Sequence, residues 1–183
     1  MILENACAYK NYLGSVFDAM GFYGSFEVVG NAIHLNIITS EKQETPTKEQ
    51  VLEKLKEITL KKKKQELEKK INDICKEKIV KGFRSEVLGS WHAYDLTLED
   101  QANLQALVMA GIDSLFRCAE VINGVIGFKT YKKHTKAQLL ILSQEALKFK
   151  SDLILFYGRE KDRLNAITSL EALEKFVIKE FLA

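Results

Sequence analysis

The chain has 183 residues, enough for one domain with an appendage or for two small domains. Hydrophobic residues make up 46%, which can fill a core, and one proline with ten glycines argues against a long disordered linker. The formal charge of +2 is too small to point to nucleic acid or an anionic membrane as partner, and no run of about 18 apolar residues marks a membrane-spanning helix.

In chain order, the opening MILENACAYKNY carries Glu4 early and lacks a basic stretch, so a signal peptide is not expected. Residues 8–20 read as a short helix. Phe26, Val28, Ile33, Leu35 and Ile37 alternate with polar or small residues around Gly30-Asn31, the pattern of a hairpin with a two-residue turn. The main boundary is expected near 39–47, where TSEKQETPT is polar and holds the only proline. Cys7, Cys75 and Cys118 are far apart and odd in number, which predicts free thiols rather than a disulfide framework or a metal site.

Four segments read T-x-x-[E/Q/D] ahead of apolar periodicity: Thr47–Gln50, Thr97–Asp100, Thr135–Gln138 and Thr168–Glu171. In each, the threonine oxygen can accept the third amide proton while the third side chain returns to the threonine amide, so four helices are predicted. The first, over about 47–78, is thinly apolar. Its stripe Val51, Leu52, Leu55, Ile58 is out of register with Leu60, Leu67, Ile71, Ile74, and Lys61 to Lys64 lie between. Residues 41–81 hold 13 lysines against 9 acids. Such a helix is expected to project or to pair along a narrow seam, as in a coiled coil. The second is predicted to bury Leu104, Leu107, Val108, Ile112, Leu115 and Ala119, ending at Gly124 and Gly127. The third should bury Leu139, Leu142, Ala146, Phe149, Leu153 and Phe156, and the last Leu170, Leu173, Val177 and Phe181.

The densest stretch is Gly82 to Leu104. Phe83, Ser85 and Val87 lead through Gly89-Ser90 to Trp91, Ala93 and Asp95, which predicts a second tight hairpin with Trp91 in the core. Phe128–Tyr131 offers it a third strand. The letters Gly82, Phe83, Ser85, Leu88, Gly89, His92, Tyr94, Asp95, Asp100, Gln101, Asn103 and Leu104, with a weaker echo in His134-Thr135 and Gln138-Leu139, resemble a domain found repeatedly in bacteriophage tail gene products. The resemblance covers roughly residues 77–183. It implies a tail-fibre component or a fibre-assembly protein, bound to a fibre or baseplate protein. It implies residence in the host cytoplasm during assembly or in the tail of the virion. It implies no enzymatic activity and no cofactor.

Three chemistries compete at the level of residues. His92 and Asp95 suggest a hydrolase, yet on a strand His92 and Tyr94 share one face and Asp95 takes the other. Asp100, Gln101 and Asn103 sit in the first turn of a helix, where Asp100 meets the positive end of the dipole and the amides can bond the hairpin backbone. Oxygen-ligated metals need more carboxylates than this. Lys61 to Lys64, Lys69 and Lys70 could neutralise phosphates, but consecutive lysines spread around a helix and no aromatic lies among them.

The sequence therefore predicts an α+β protein. Residues 1–40 form a small α/β element, 41–78 a long charged helix, and 79–183 an antiparallel sheet of hairpins packed on a helical bundle. The expected function is partner binding without turnover, with self-association through the long helix and with Leu55, Ile58, Phe176 and Phe181 as exposed contact residues. Nucleic-acid binding and hydrolysis are the alternatives.

Overall fold

The computed structural model describes residues 1–38 and 44–181. The boundary expected at 39–47, the start of the 41–78 segment and the end of the 79–183 segment lie partly outside these residues. The fold is α+β, with two small antiparallel sheets and long helices. The chain divides into two compact units rather than three segments: Met1–Glu68 with Arg163–Val177, and Lys69–Asp162 with Ile178–Ala183. The long helix is shared between the two units.

In the first unit, β1 (Ile2–Leu3) pairs with β3 (Ala32–Ile38), which pairs with β2 (Tyr23–Val29). Val29 faces Ala32, leaving Gly30-Asn31 as the predicted two-residue turn. A 3-10 turn (Cys7–Tyr12) runs into α1 (Leu13–Met20), which stops where Gly21 takes a left-handed φ of 71°. Leu13, Val16 and Phe17 of α1 meet Leu3, Ile33 and Leu35 of the sheet. α2 (Lys48–Lys81) completes this core with Val51, Leu55 and Ile58, one helical face at spacings of four and three. The apolar stripe expected to stand free for a partner is thus used inside the unit.

In the second unit a four-stranded sheet runs β4 (Phe83–Ser85), β5 (His92–Tyr94), β6 (Ser114–Ile122), β7 (Val125–His134), all antiparallel. α3 (Leu98–Ala110) and α4 (Lys136–Asn165) supply Leu104, Leu139, Leu142 and Ala146 to a core shared with Tyr94, Leu96, Phe116 and Cys118. α4 runs through Tyr157-Gly158 without ending there.

Three of the four predicted helix starts close reciprocal caps. The amides of Gln50, Asp100 and Gln138 donate to Thr47, Thr97 and Thr135 Oγ1 at 3.2, 3.1 and 3.2 Å. The three threonine amides return to the side chains of the same residues. The fourth differs. Ser169 is the cap, accepting from the Ala172 amide at 3.2 Å, and α5 spans only Leu170–Glu174. Val177 and Phe181 are therefore not on that helix.

Two other expectations fail for local reasons. The second helix ends at Gly111, whose left-handed φ of 63° lets its amide close on Leu107 and Val108 carbonyls. Leu115 and Ala119 lie on β6 instead, and Asn123-Gly124, both at positive φ, turn β6 into β7. Positive φ at both turn positions suits the right-handed twist of the strands it joins, so the Asn-Gly pair marks a hairpin. The Gly89-Ser90 turn is also not a two-residue loop. Phe83 pairs with Tyr94 and Ser85 with His92, so Glu86–Trp91 form the connection. Trp91 is 49% exposed, and Tyr94 holds the core position expected of it.

Gly82 is where α2 gives way to β4. It sits at φ 81°, and a β-carbon there would lie 1.8 Å from the Tyr94 carbonyl oxygen. Gly82→Ala is expected to destabilise by roughly 3 kcal/mol or more, through backbone strain and a clash that no side chain can relieve. Gly89 has a similar φ of 85° but open space around it. Gly89→Ala should cost about 1 kcal/mol, strain alone. Urea denaturation of the two variants would separate the effects. In the same assay Trp91→Ala should shift stability by about 1 kcal/mol or less, because much of its ring is already in water.

Candidate functional site

The residues of the Gly82–Leu104 stretch separate into a buried cluster and a surface ion pair. β5 alternates so that His92 and Tyr94 point into the unit, and both are buried. His134, at the end of β7, is also buried, and its Nε2 lies 3.0 Å from Tyr94 Oη. His134 Nδ1 lies 2.8 Å from the Lys132 carbonyl, which can only accept. The proton is thereby fixed on Nδ1, and Tyr94 donates to the bare Nε2. His92 follows the same logic: Nδ1–H donates to the Ser90 carbonyl at 2.8 Å, while its buried Nε2 has no protein partner. Tyr94 stacks on Phe83 and Phe116 at ring separations of 5.8 and 6.3 Å.

Burial governs the titration of this cluster. It raises the Tyr94 phenol far above its ordinary value, with Cys118 and Glu145 adding to the effect. It raises the Cys118 thiol, against the opposing influence of Tyr94 and Lys132. A thiol held protonated in this way is a poor nucleophile. Burial also lowers His134 below the usual imidazole value, opposed by the Lys132 carbonyl and reinforced by His92.

Asp95 lies outside the cluster. Its carboxylate accepts from Arg117 at 3.3 Å and from Lys129. His92 and Asp95 share no hydrogen bond or ion pair, so the pair expected for hydrolysis is not assembled. Ser85 Oγ accepts from the Val87 amide at 3.1 Å, a local turn contact. Among the described residues, no group of three or more His, Cys, Asp or Glu side chains is arranged to hold a metal ion.

The remaining motif residues shape the unit. Asp100 closes the Thr97 cap. Gln101 donates to the Leu96 carbonyl at 2.8 Å and accepts from Lys150 at 2.7 Å. Asn103 is exposed on α3, away from the backbone contact expected of it. Leu88 packs on the core edge, and Gly89 makes the turn Glu86–Gly89. Beside β4, Phe83, Trp91, Phe149 and Phe181 line an open groove of about 760 Å³.

The four expected contact residues are engaged within the chain. Leu55 and Ile58 are buried in the first unit's core. Phe181 is half-buried and packs edge-to-face on Phe149 and Phe156 at 6.5 and 5.5 Å. Phe176 is half-buried beneath the Arg163 guanidinium, 5.3 Å from the ring centroid. The lysine run offers no single stripe, and Lys64 donates to the Asn165 carbonyl at 2.9 Å.

A group of exposed apolar side chains lies on the β6–β7 hairpin, where the sequence predicts a helix running to Gly124 and Gly127 followed by a strand over Phe128–Tyr131. Ile122, Val125, Ile126 and Tyr131 are exposed, and Phe128 is 97% exposed. Between Ala119 and Val121 the register shifts, so Gly127 and Phe128 together oppose Glu120. A bulge of this kind re-aims a side chain, here Phe128. β7 is the sheet's edge, and Val125 through Tyr131 are all exposed. The Asn123-Gly124 turn flanked by Ile122 and Val125 was the available signal.

The depressed His134 value has a definite consequence. Above the ordinary value of 6.5, folded and unfolded chains both hold a neutral imidazole, and its contribution to stability is complete. As pH falls below 6.5 the unfolded chain binds a proton that the folded chain refuses. Stability is expected to drop as pH falls through this window toward the depressed folded value, then to level. Denaturant midpoints measured across pH should show a smaller drop in His134→Gln, which cannot take up that proton. An unchanged drop would remove His134 as its source.

Tyr94, His134 and the Lys132 carbonyl thus form a paired hydrogen-bonded chain, whereas the buried His92 Nε2 stays outside it. No helix among the described residues is long and apolar enough to cross a membrane. Comparison with protein-family models, with curated proteins and with solved structures found no match to this chain.

Proposed function

We propose that this chain is a non-enzymatic binding protein of a bacteriophage tail, acting as a tail-fibre assembly chaperone or a small adaptor. The observation that carries the binding role is the β6–β7 hairpin, which holds Phe128, Val125, Ile122 and Ile126 in water. Scattered apolar side chains are ordinary on protein surfaces, whereas several together on one projecting hairpin mark an interaction surface. Aromatic side chains are the usual anchors of such surfaces. The tail setting, and residence in the host cytoplasm or the virion, rest on the resemblance of residues 82–104.

The bulge at Gly127–Phe128 fits this role. Folding gains nothing from a phenylalanine held in water, and a regular strand would have left the choice of face to the pleat. The hairpin displaces the earlier contact residues, since Leu55 and Ile58 are already buried within their own unit. It also weakens the case for self-association through α2, whose Val51–Leu55–Ile58 stripe has its partner in the same chain.

Co-expression with a phage fibre or baseplate protein that it serves should raise that protein's soluble yield and retain it on the tagged chain. Phe128→Ser should lower retention by about tenfold or more, the size expected for losing an aromatic anchor. The variant's circular dichroism should match the parent's, because the ring touches little of the fold. Retention unchanged in Phe128→Ser would reject the hairpin as the binding surface.

A further inference from the structure

We infer that the free edge of β7 binds an extended acidic segment of a partner, which adds to the sheet as a fifth strand. The inference rests on the binding role proposed above and names the chemistry of the partner. Among the described residues, β7 is bonded on one side only, to β6. From Lys129 to His134 its register with β6 is regular, so its other side presents a repeating ladder of backbone donors and acceptors. The residues along this part are exposed up to Tyr131, and among the described residues no other element pairs with the edge.

The side chains on this edge state what can pair with it. Lys129, Lys132 and Lys133 lie within the strand, and it holds no carboxylate. Lys129 and Lys133 share one face with Tyr131 between them, and Arg117 of β6 stands opposite Tyr131 on that face. A strand added there meets two ammonium groups four residues apart on one face and an aromatic ring between them. Carboxylates four residues apart on the incoming segment would sit across from Lys129 and Lys133. Lys129 already shares Asp95 with Arg117, and Lys132 lies 3.9 Å from the Glu120 carboxylate, so Lys133 supplies most of the attraction. The bulge at Phe128 ends the regular ladder and places an apolar ring where the added strand would end.

A second copy of this chain is a poor occupant of the same edge. Any antiparallel pairing of two β7 strands over this part brings six lysines together without one acid. Like charges facing across strands are destabilising, and lysines on an edge are a known device against self-pairing. The same lysines favour an acidic strand, so the edge excludes itself while remaining open to a complementary segment.

The test uses the full chain and synthetic peptides of roughly eight residues, long enough to span the regular edge. One alternates glutamate with valine, a second replaces glutamate by lysine, and a third carries a central proline. Fluorescence anisotropy should show the glutamate peptide binding about tenfold or more tightly than either of the others. Hydrogen exchange on the parent chain should slow at the β7 amides when that peptide is present. The Lys132→Gln/Lys133→Glu variant should lose this preference for glutamate over lysine.

Equal binding of the glutamate and lysine peptides, or exchange protection elsewhere than β7, would overturn the inference. So would concentration-dependent dimerisation in light scattering with protection of β7 in the absence of peptide. If the glutamate peptide fails while Phe128→Ser still releases the co-expressed tail protein, the edge inference falls and the binding role stands. If both fail, both fall.

Discussion

The close approach of Gly82 to the Tyr94 carbonyl is the constraint on which the second unit depends. α2 must end, turn through a left-handed residue and lay β4 against β5 within a few residues. Only glycine meets both demands, since any β-carbon would strike backbone and not a movable side chain. Once the turn is made, Phe83 is set against Tyr94, and the Leu96 amide meets the Val80 carbonyl at 3.4 Å. Tyr94 then stands between two phenylalanine rings with its hydroxyl on His134, the last residue of β7. One backbone contact thus fixes the first strand, the central aromatic stack and the anchoring of the last strand.

The polar groups of this core are used for uniqueness of packing more than for net stability. A neutral hydrogen bond gains about 1 kcal/mol, and losing one partner of a buried pair costs more than the pair contributes. Tyr94, His134 and the Lys132 carbonyl form a chain in which each donor has one acceptor. That chain ties β5 to the far end of β7 across β6, so the sheet order is held by side chains as well as by its ladders. Of the residues that read as catalytic in the sequence, Tyr94 joins this hydrogen-bonded chain through His134, Asp95 pairs with Arg117 and Lys129, and His92 keeps a buried Nε2 without a protein partner.

The two ends of the β6–β7 hairpin are accordingly different. Its base is anchored by His134, and the capping box at Thr135 starts α4 beside it. Its tip carries apolar side chains that the fold leaves in water, and its outer edge carries the exposed Lys133. Anchored base and unconsumed tip are what a rigid docking element requires, because little ordering entropy remains to be lost on binding. The proposed partner contact falls where the unit's own interactions stop.

The sequence by itself determined the features that are local. The reciprocal caps at Thr47, Thr97 and Thr135, the Gly30-Asn31 turn and the buried face of α4 depend on neighbours a few residues apart, and so were legible as spacing. It determined the α+β class for the same reason. Only the tertiary structure decided the rest. Leu115 and Ala119 fall at helical spacing after Leu104, yet Gly111 ends the helix and sheet pairing claims them, because a strand's partner lies far along the chain. The stripe of Leu55 and Ile58 could face a core or a partner equally well, and α1 with its sheet settled the choice. Trp91 and Tyr94 are both aromatic and three residues apart, but the Glu86–Trp91 connection and the Phe83–Tyr94 register put one in water and the other at the centre. Burial is a property of what surrounds a residue, and neither composition nor period specifies the neighbours.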